Sequence, residues 1–196
     1  MRRHLVLSAA ALAFATCSGT PTQVFTLAAS GDRATTPAEP HAPLVHVDRA
    51  TVAETFDRSQ MVTRIGEHRI SLHEFAVWSE PIADLITGTV VDDLARRFGD
   101  DRVMRTPRSG THDAAAARVE LEVLRFDLDE QGQAVVEARW TVTSAGGATL
   151  RRRERVTAQA ADPKEAPSRV MALRAALATL ADHIATAVAG PAPRRG

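Results

Sequence analysis

Two segments of the chain repeat apolar residues with the period of an amphipathic α-helix. They cover residues 82–98 and 168–188, and in both the apolar side chains recur every three or four positions, so they share one helix face. Pro81 suits the start of the first helix because its missing backbone N–H is not needed there, and Gly99 suits the end. The apolar positions are Ile82, Leu85, Ile86, Val90, Leu94 and Phe98 in the first segment and Val170, Leu173, Leu177, Leu180, Ile184 and Val188 in the second.

A second pattern, alternation of apolar and polar residues, predicts β-strands. The clearest strand covers residues 134–142, where Trp140 belongs to the apolar face and Arg139 to the polar face. Residues 118–127 also alternate, and the change of phase at Leu124 predicts a β-bulge. Further strands are predicted at residues 23–27, 44–52, 60–63, 68–70, 102–104 and 149–158, with a hairpin turn at residues 65–67, a hairpin loop at residues 129–132 and a turn at residues 146–147.

A charged and then apolar leader opens the chain. Arg2 and Arg3 precede an apolar run from Leu5 to Ala15. As a helix this run would cover only about 17 Å, well short of the roughly 30 Å hydrocarbon core of a bilayer. The leader is therefore predicted to be a signal peptide, residues 1–16, rather than a membrane-spanning helix.

Cys17, the one cysteine in the chain, directly follows the leader. A lone thiol in an oxidising compartment cannot form an intramolecular disulfide, and its position predicts that cleavage before Cys17 leaves an N-terminal cysteine that carries lipid such as palmitate. Several acyl chains on one N-terminus make a stable membrane anchor, and Ser18 favours the outer membrane. Phe14 and Thr16 depart from the usual lipoprotein cleavage pattern, so cleavage after Ala15, releasing a soluble periplasmic protein, is the alternative.

Together these features predict one α+β domain after a signal peptide and a linker. The domain is expected to contain an antiparallel or mixed sheet with two amphipathic helices packed on it. A length of 196 residues allows one such domain and short tails. The predicted divisions are the signal peptide at 1–16, a lipidated N-terminal segment and linker at 17–43, the domain at 44–189 and a disordered tail at 190–196.

Composition places the chain among ordinary globular proteins and excludes a nucleic-acid-binding role. Hydrophobic residues make up 44% and charged residues 24% of the chain, so neither disorder nor a membrane bundle describes most of it. Basic and acidic residues both number 24, and removal of the leader takes two arginines away. The mature chain therefore has no cationic excess, and nucleic acid is not expected as a partner.

The sequence offers little that predicts catalysis. It contains no GxGxxG, GxxxxGK[ST], GxSxG or HExxH motif, and no enzyme activity, cofactor or metal site is predicted. Asp92 and Asp93 are adjacent carboxylates, but neighbours in sequence do not face each other on a helix. The arginine run at residues 151–155 is predicted to lie on the exposed face of a strand, where it would meet lipid headgroups or an acidic partner, or protect the sheet edge.

Several blocks of the sequence resemble one known family. Residues 56–64 (FDRSQMVTR) are similar to its Leu-Asp-Arg-Pro-Gln-Ile-Val-x-Arg block, and residues 74–81 (EFAVWSEP) to its Glu-Phe-x-x-Trp-Ala-Glu-Pro block. Residues 17–27 (CSGTPTQVFTL) resemble the start of its mature members. Weaker similarity continues at residues 123–127 and 138–140. The family is that of the PqiC-like, ABC-type transport auxiliary lipoproteins. The departures are the weak cleavage motif, the absence of tyrosine from the first strand and a serine at position 59 where the family has proline.

The resemblance implies a non-catalytic auxiliary subunit of an MCE-type or ABC-type lipid-transport system that supports envelope integrity. It implies an outer-membrane lipoprotein on the periplasmic face that contacts an MCE-domain transport protein, and it is compatible with a homo-oligomer. The predicted partner contacts are Asp57, Arg58, Gln60, Arg64, Trp78, Glu80 and Pro81.

Other interpretations of these residues and of the whole chain stay open. Asp57 and Arg58 could instead clamp a turn, Glu80 and Pro81 could start the helix, and Trp78 could be a packing anchor. For the whole chain, the alternatives are a soluble periplasmic binding or chaperone-like module and, less favoured, an envelope hydrolase that uses His68 or His112 with a carboxylate.

Overall fold

The computed structural model describes residues 20–28, 42–107, 113 and 115–190. Within them the chain forms nine strands and two helices. In chain order these are β1 (Gln23–Phe25), β2 (Val45–Val47), β3 (Thr51–Val52), β4 (Gln60–Ile65), β5 (Arg69–Trp78), α1 (Ile82–Phe98), β6 (Val103–Arg105), β7 (Ala117–Asp129), β8 (Gln133–Thr143), β9 (Thr149–Gln159) and α2 (Ala166–Ala189). Cys17 and His112 lie outside the described residues.

Strand β7 is the centre of a mixed sheet. Along one edge it pairs antiparallel with β8, which pairs antiparallel with β9. Along its other edge it pairs in parallel with three short strands in succession, β2, β3 and β4. The sheet continues beyond β2 with β6, and beyond β4 with β5 and then β1. Strands β1 and β9 are therefore at opposite ends of the path β1-β5-β4-β7-β8-β9.

Both helices pack on this sheet and against each other, which confirms the predicted α+β fold. Helix α2 contacts β7, β8 and β9, while α1 contacts β2, β3 and β6. The apolar positions predicted for the two helices are buried, apart from Val188, which is partly exposed. Helix α2 is long and apolar enough to span a membrane, but half of its most apolar window is buried in the domain. It is therefore a core helix of the described structure.

The predicted bulge and hairpins are present. The register between β7 and β8 shifts between Val123 and Arg125, so Leu124 is the extra residue of a bulge. The β4–β5 hairpin turns at Gly66, which has a φ of 62°. In the β7–β8 loop, one carboxylate oxygen of Asp129 accepts hydrogen bonds from two backbone N–H groups at 3.0 and 2.8 Å, which closes the loop.

The segment predicted as a single strand over residues 44–52 is instead two strands. Strands β2 and β3 both pair with β7. Val47 and Thr51 are four positions apart, whereas their partners on β7, Val119 and Glu122, are three positions apart, so the two strands do not form one continuous ladder. The connection lies over α1, where the amide of the buried residue Ala50 donates to Oγ1 of Thr87 at 2.9 Å. A contact with the helix thus interrupts the ladder.

Strand β5 is much longer than the predicted segment 68–70. It runs to Trp78 and includes the residues just before α1 that the sequence pattern left without an assignment. Its pairing with β4 shifts register between Gln60 and Met61, and its burial does not alternate strictly. Since strict alternation is the signal by which a half-buried strand is predicted, this strand was missed over most of its length.

The predicted edge strand before the linker is confirmed as β1. It pairs in parallel with the end of β5, and Leu27, which follows it, is 1% exposed and belongs to the core. The segment 17–43 thus contributes a strand to the folded body, and residues 44–189 are the larger part of the domain rather than all of it.

Candidate functional site

The two sequence blocks predicted to contact a partner, residues 56–64 and 74–81, lie side by side. We call their adjoining parts, residues 56–60 and 77–81, the contact blocks. The backbone N–H of Trp78 donates to the carbonyl oxygen of Ser59 at 2.7 Å. Gln60, half-buried at the start of β4, pairs with the residue that precedes Trp78. Two segments that are separate in sequence therefore form one region of the surface.

Within the contact blocks, the exposed residues also shape the local backbone. Asp57, Arg58, Glu80 and Pro81 are all exposed. The Nε of Arg58 donates to the carbonyl oxygen three residues earlier at 3.1 Å, as a turn clamp would. Pro81 immediately precedes α1, and its carbonyl oxygen accepts from the backbone N–H of Asp84 at 2.8 Å. Both predicted roles, surface contact and folding determinant, are therefore compatible with where these residues lie.

Trp78 differs from the other predicted contacts because it is buried. Its side chain is 7% exposed, and its ring lies 6.0 Å from that of Phe126 at a tilted angle of 59°. Such tilted aromatic pairs stabilise a core beyond the apolar area they bury. The structure therefore places Trp78 as a packing anchor and leaves it almost no surface for a partner.

The side chain of Arg64 also makes an internal contact. Its Nε donates to one carboxylate oxygen of Asp127 at 3.0 Å, and the Nε of Arg125 donates to the other at 2.6 Å. The side chain of Asp127 is 0% exposed. Burial raises the pKa of Asp127 above its ordinary value, while the two guanidinium groups oppose that shift by stabilising the charged form. This triad joins β4 to β7.

A second polar cluster lies between the sheet and α2. The guanidinium of Arg169, on α2 and 7% exposed, hydrogen-bonds to the hydroxyl of Thr63 and to Nε2 of His73, the latter at 3.0 Å. The Thr63 hydroxyl also lies 2.7 Å from that His73 nitrogen. Burial and then the charge of Arg169 lower the pKa of His73, and burial lowers the pKa of Arg169. His73 is thus held neutral beside a buried cation.

Acidification is expected to destabilise the protein through His73. Its folded-state pKa is lowered, whereas the imidazole of an unfolded chain keeps a pKa of about 6.5, so below that pH the unfolded chain binds a proton that the folded chain resists. This contribution to stability is present above the unfolded pKa and is lost as the pH falls, at no more than about 1.4 kcal/mol per pH unit. Urea unfolding near neutral pH and again about two units lower should show a larger loss for the wild type than for His73→Gln. Equal losses would assign the pH dependence to other groups.

An apolar groove lies between β1 and α2. It has a volume of about 670 Å³, and no carboxylate lines it. Val24 on β1 and Met171 on α2 are its most exposed apolar residues, at 64% and 73%. Arg174 is its one charged lining residue and is paired with Asp93 of α1 at 2.5 Å. The groove can bind an apolar group or face an apolar surface.

A smaller groove includes the start of β1. Its volume is about 460 Å³, and it is lined by Thr20 and Pro21 as well as by Phe75 of β5 and Lys164 before α2. Phe75 is 47% exposed. Exposed apolar side chains therefore line both grooves that include residues of β1, next to the point where the described chain begins.

The opposite edge of the sheet carries a row of arginines. Arg151, Arg153 and Arg155 are exposed on β9, as predicted. Arg153 pairs with Glu137 of β8 at 2.5 Å, whereas Arg151 and Arg155 form no ion pair with any residue that the structure describes. No described strand pairs with the outer edge of β9. The row is available for an acidic partner or for edge protection.

The described residues contain no group of three or more histidine, cysteine or acidic side chains that could hold a metal ion. Of the adjacent carboxylates at positions 92 and 93, Asp93 joins α1 to Arg174 of α2. That interhelical role was not predictable, because the arginine is 81 residues away in sequence.

Solved structures show the same fold. An uncharacterized protein aligns with a TM-score of 0.68 at 14% identity, over 85% of this chain and 97% of the other. A protein from Xanthomonas campestris assigned to the DUF330 family aligns with a TM-score of 0.61 at 15% identity, over 83% of this chain and 92% of the other. No curated protein sequence matches this chain.

The sequence pattern of one protein family matches most of the chain. The match covers residues 25–185, from the end of β1 to the last turns of α2. It therefore includes both contact blocks, the sheet and both helices, and it confirms the resemblance found in the sequence. The chain belongs to the family of ABC-type transport auxiliary lipoprotein components.

Proposed function

We propose that this protein is a lipoprotein of the outer membrane, anchored on its periplasmic face through Cys17, and a non-catalytic auxiliary subunit of an MCE-type or ABC-type lipid-transport system. The family supports the auxiliary role. The division of the chain into a cleaved leader over residues 1–16 and a lipidated segment from residue 17 is part of this proposal. Its partner is an MCE-domain transport protein, and it serves that partner by docking.

The observation that carries the proposal is the short distance along the chain between Cys17 and the folded body. Thr20 already lines the groove beside β5, and β1 begins at Gln23. Thr20 is three positions after Cys17, and an extended chain of three residue steps spans at most about 11 Å. An acylated Cys17 would therefore hold the domain directly at the membrane surface rather than on a long tether.

The contact blocks supply the proposed docking surface. They are close to β1 as well as to each other, because the backbone N–H of Ser79 donates to the carbonyl oxygen of Phe25 at 2.8 Å. Their exposed side chains carry both signs of charge, with Asp57 and Glu80 against Arg58. A surface with charges of both signs favours a specific protein partner over non-specific binding to any surface of one charge.

Crosslinking in cells tests the docking role. A photo-reactive amino acid at position 57, 58 or 80 is expected to capture an MCE-domain protein, while the same group at the exposed control positions Arg97 and Glu130 is expected to capture much less of it. Capture of varied unfolded proteins at all five positions would favour the chaperone-like alternative and contradict the proposal.

Replacing the proposed anchor residue is expected to change where the protein fractionates. Cys17→Ala removes the lipid, and the protein should move from the membrane fraction to the soluble fraction or stay uncleaved at the inner membrane, because no other acyl attachment is predicted. Separation of soluble, inner-membrane and outer-membrane fractions of the wild type and the variant, followed by immunoblotting, checks this. Unchanged fractionation of Cys17→Ala would contradict the anchoring claim.

A further inference from the structure

Exposed apolar side chains are concentrated around β1. Six large apolar residues of the described chain are substantially exposed. Single exposed apolar residues are ordinary on a protein surface, but a cluster of them marks a contact. Four of the six line the two grooves that include residues of β1, namely Val24, Met171, Phe75 and Leu72, and we call these four the apolar rim. The other two, Met104 and Leu150, line neither groove.

The larger groove suits a phospholipid surface. It has no acidic lining residue, and its one cation, Arg174, is already paired. The smaller groove is lined by the exposed residues Lys164, Glu74 and Glu165, so it adds no net positive charge. Val24 and Met171, with no unpaired charge beside them, fit the boundary between acyl chains and headgroups.

The start of the described chain places this rim next to the proposed anchor. Thr20 and Pro21 line the same groove as Phe75 and Leu72. Because Cys17 is only three positions before Thr20, the chain between their α-carbons spans at most about 11 Å, which puts the proposed anchor within that distance of Thr20. Acyl chains on Cys17 would bring the bilayer surface to within that distance.

We propose that the apolar rim docks on the surface of the membrane to which Cys17 is anchored, with Val24 and Met171 entering the boundary between headgroups and acyl chains. This inference rests on the proposed lipidation of Cys17. It adds an orientation: the β1 edge of the sheet faces the bilayer, and β9, five strand spacings or about 24 Å away across the sheet, faces the periplasm. The arginines of β9 are then presented to soluble partners rather than to headgroups.

Site-specific fluorescence tests this orientation. Acylation uses up Cys17, so a cysteine introduced elsewhere is the one free thiol of the mature protein. The environment-sensitive dye NBD would be attached to Val24→Cys or Met171→Cys, and to Met104→Cys or Leu150→Cys as matched exposed controls. Each lipidated protein would be reconstituted on vesicles of phosphatidylethanolamine and phosphatidylglycerol, with and without nitroxide-labelled lipid.

The rim positions are expected to show blue-shifted emission and at least several-fold stronger quenching by the nitroxide lipid than the controls. Solvent-like emission at all four positions would overturn the proposal. Blue-shifted emission at the rim that is insensitive to nitroxide lipid would also overturn it, by showing that a protein, such as a second copy of this chain, covers the rim.

The mass of the purified N-terminus separates this proposal from the anchoring on which it depends. An acylated Cys17 with solvent-exposed rim labels would refute the rim and leave the anchor intact. An unacylated chain would refute the anchor. It would also refute the membrane docking of the rim, because nothing would then hold the rim close to the bilayer.

Discussion

Replacing Asp127 with asparagine is expected to lower the free energy of unfolding by about 3 to 5 kcal/mol. The carboxylate is fully buried and accepts one hydrogen bond from Arg64 and one from Arg125. The amide has nearly the same shape, but it cannot neutralise two guanidinium groups, and its NH₂ would face one of them as a second donor. The variant would therefore leave two partly buried cations without their counter-charge.

Two further variants serve as controls that separate the loss of a buried counter-charge from the loss of an ordinary ion pair. Glu122→Gln breaks an ion pair with Arg139 in which both side chains are about half exposed, and its expected effect is within about 1 kcal/mol. Replacing Arg64, Arg125 and Asp127 together with apolar residues of similar size should restore part of the stability that Asp127→Asn loses, because no buried charge is then left unpaired. Urea unfolding at neutral pH measures all three. An Asp127→Asn loss no larger than that of Glu122→Gln would contradict the role given to the triad.

Replacing Trp78 with alanine is also expected to cost about 3 to 5 kcal/mol of stability. The ring is 7% exposed and packs on Phe126 between the end of β5 and the centre of the sheet. Truncation leaves a cavity that its neighbours can fill only in part. If Trp78 instead served mainly as a partner contact, the variant would keep its stability and lose binding.

Trp78→Phe supplies the matched control for this prediction. It keeps an aromatic ring against Phe126 and should lose clearly less stability than Trp78→Ala. Thermal or urea unfolding of both variants, together with crosslinking to the partner in cells, distinguishes the two roles. If the Trp78→Phe variant kept wild-type stability but captured less of the partner, Trp78 would be a partner contact rather than a packing anchor.

The helices were predictable from sequence because their burial follows a single period. Helix α1 begins directly after Pro81 and ends directly before Gly99, as predicted, since proline lacks a backbone N–H that the helix start does not need and glycine tolerates the positive φ of 105° found at position 99. The bulge at Leu124 was also visible as a change of phase. Strand β5 was not, because its register shift and its uneven burial remove the alternation on which a strand prediction depends.

The polar contacts inside the domain could not be predicted for a different reason. Arg169 meets His73 across 96 residues of sequence, and Arg64 meets Asp127 across 63. No local pattern specifies such pairs, which arise only when α2 and the strands are brought together. Arg64 was predicted as a partner contact because it lies in a block that resembles the family, yet its side chain pairs with a buried carboxylate.

The proximity of the two contact blocks was likewise hidden in the sequence. Each block was recognised by resemblance, but that they adjoin each other follows from the β4–β5 ladder and the bond between Trp78 and Ser59. The exposed apolar rim depends in the same way on the pairing of β1 with β5. The sequence thus identified the segments involved, and the tertiary pairing supplies the surfaces that they form.

We propose above all that Cys17 is acylated and holds this domain at the membrane by a very short connection. The decisive measurement is mass spectrometry of the mature N-terminus, on protein taken from the envelope. We expect a chain that starts at an acylated Cys17. A chain that starts at an unmodified Thr16, recovered from the soluble periplasmic fraction, would contradict it.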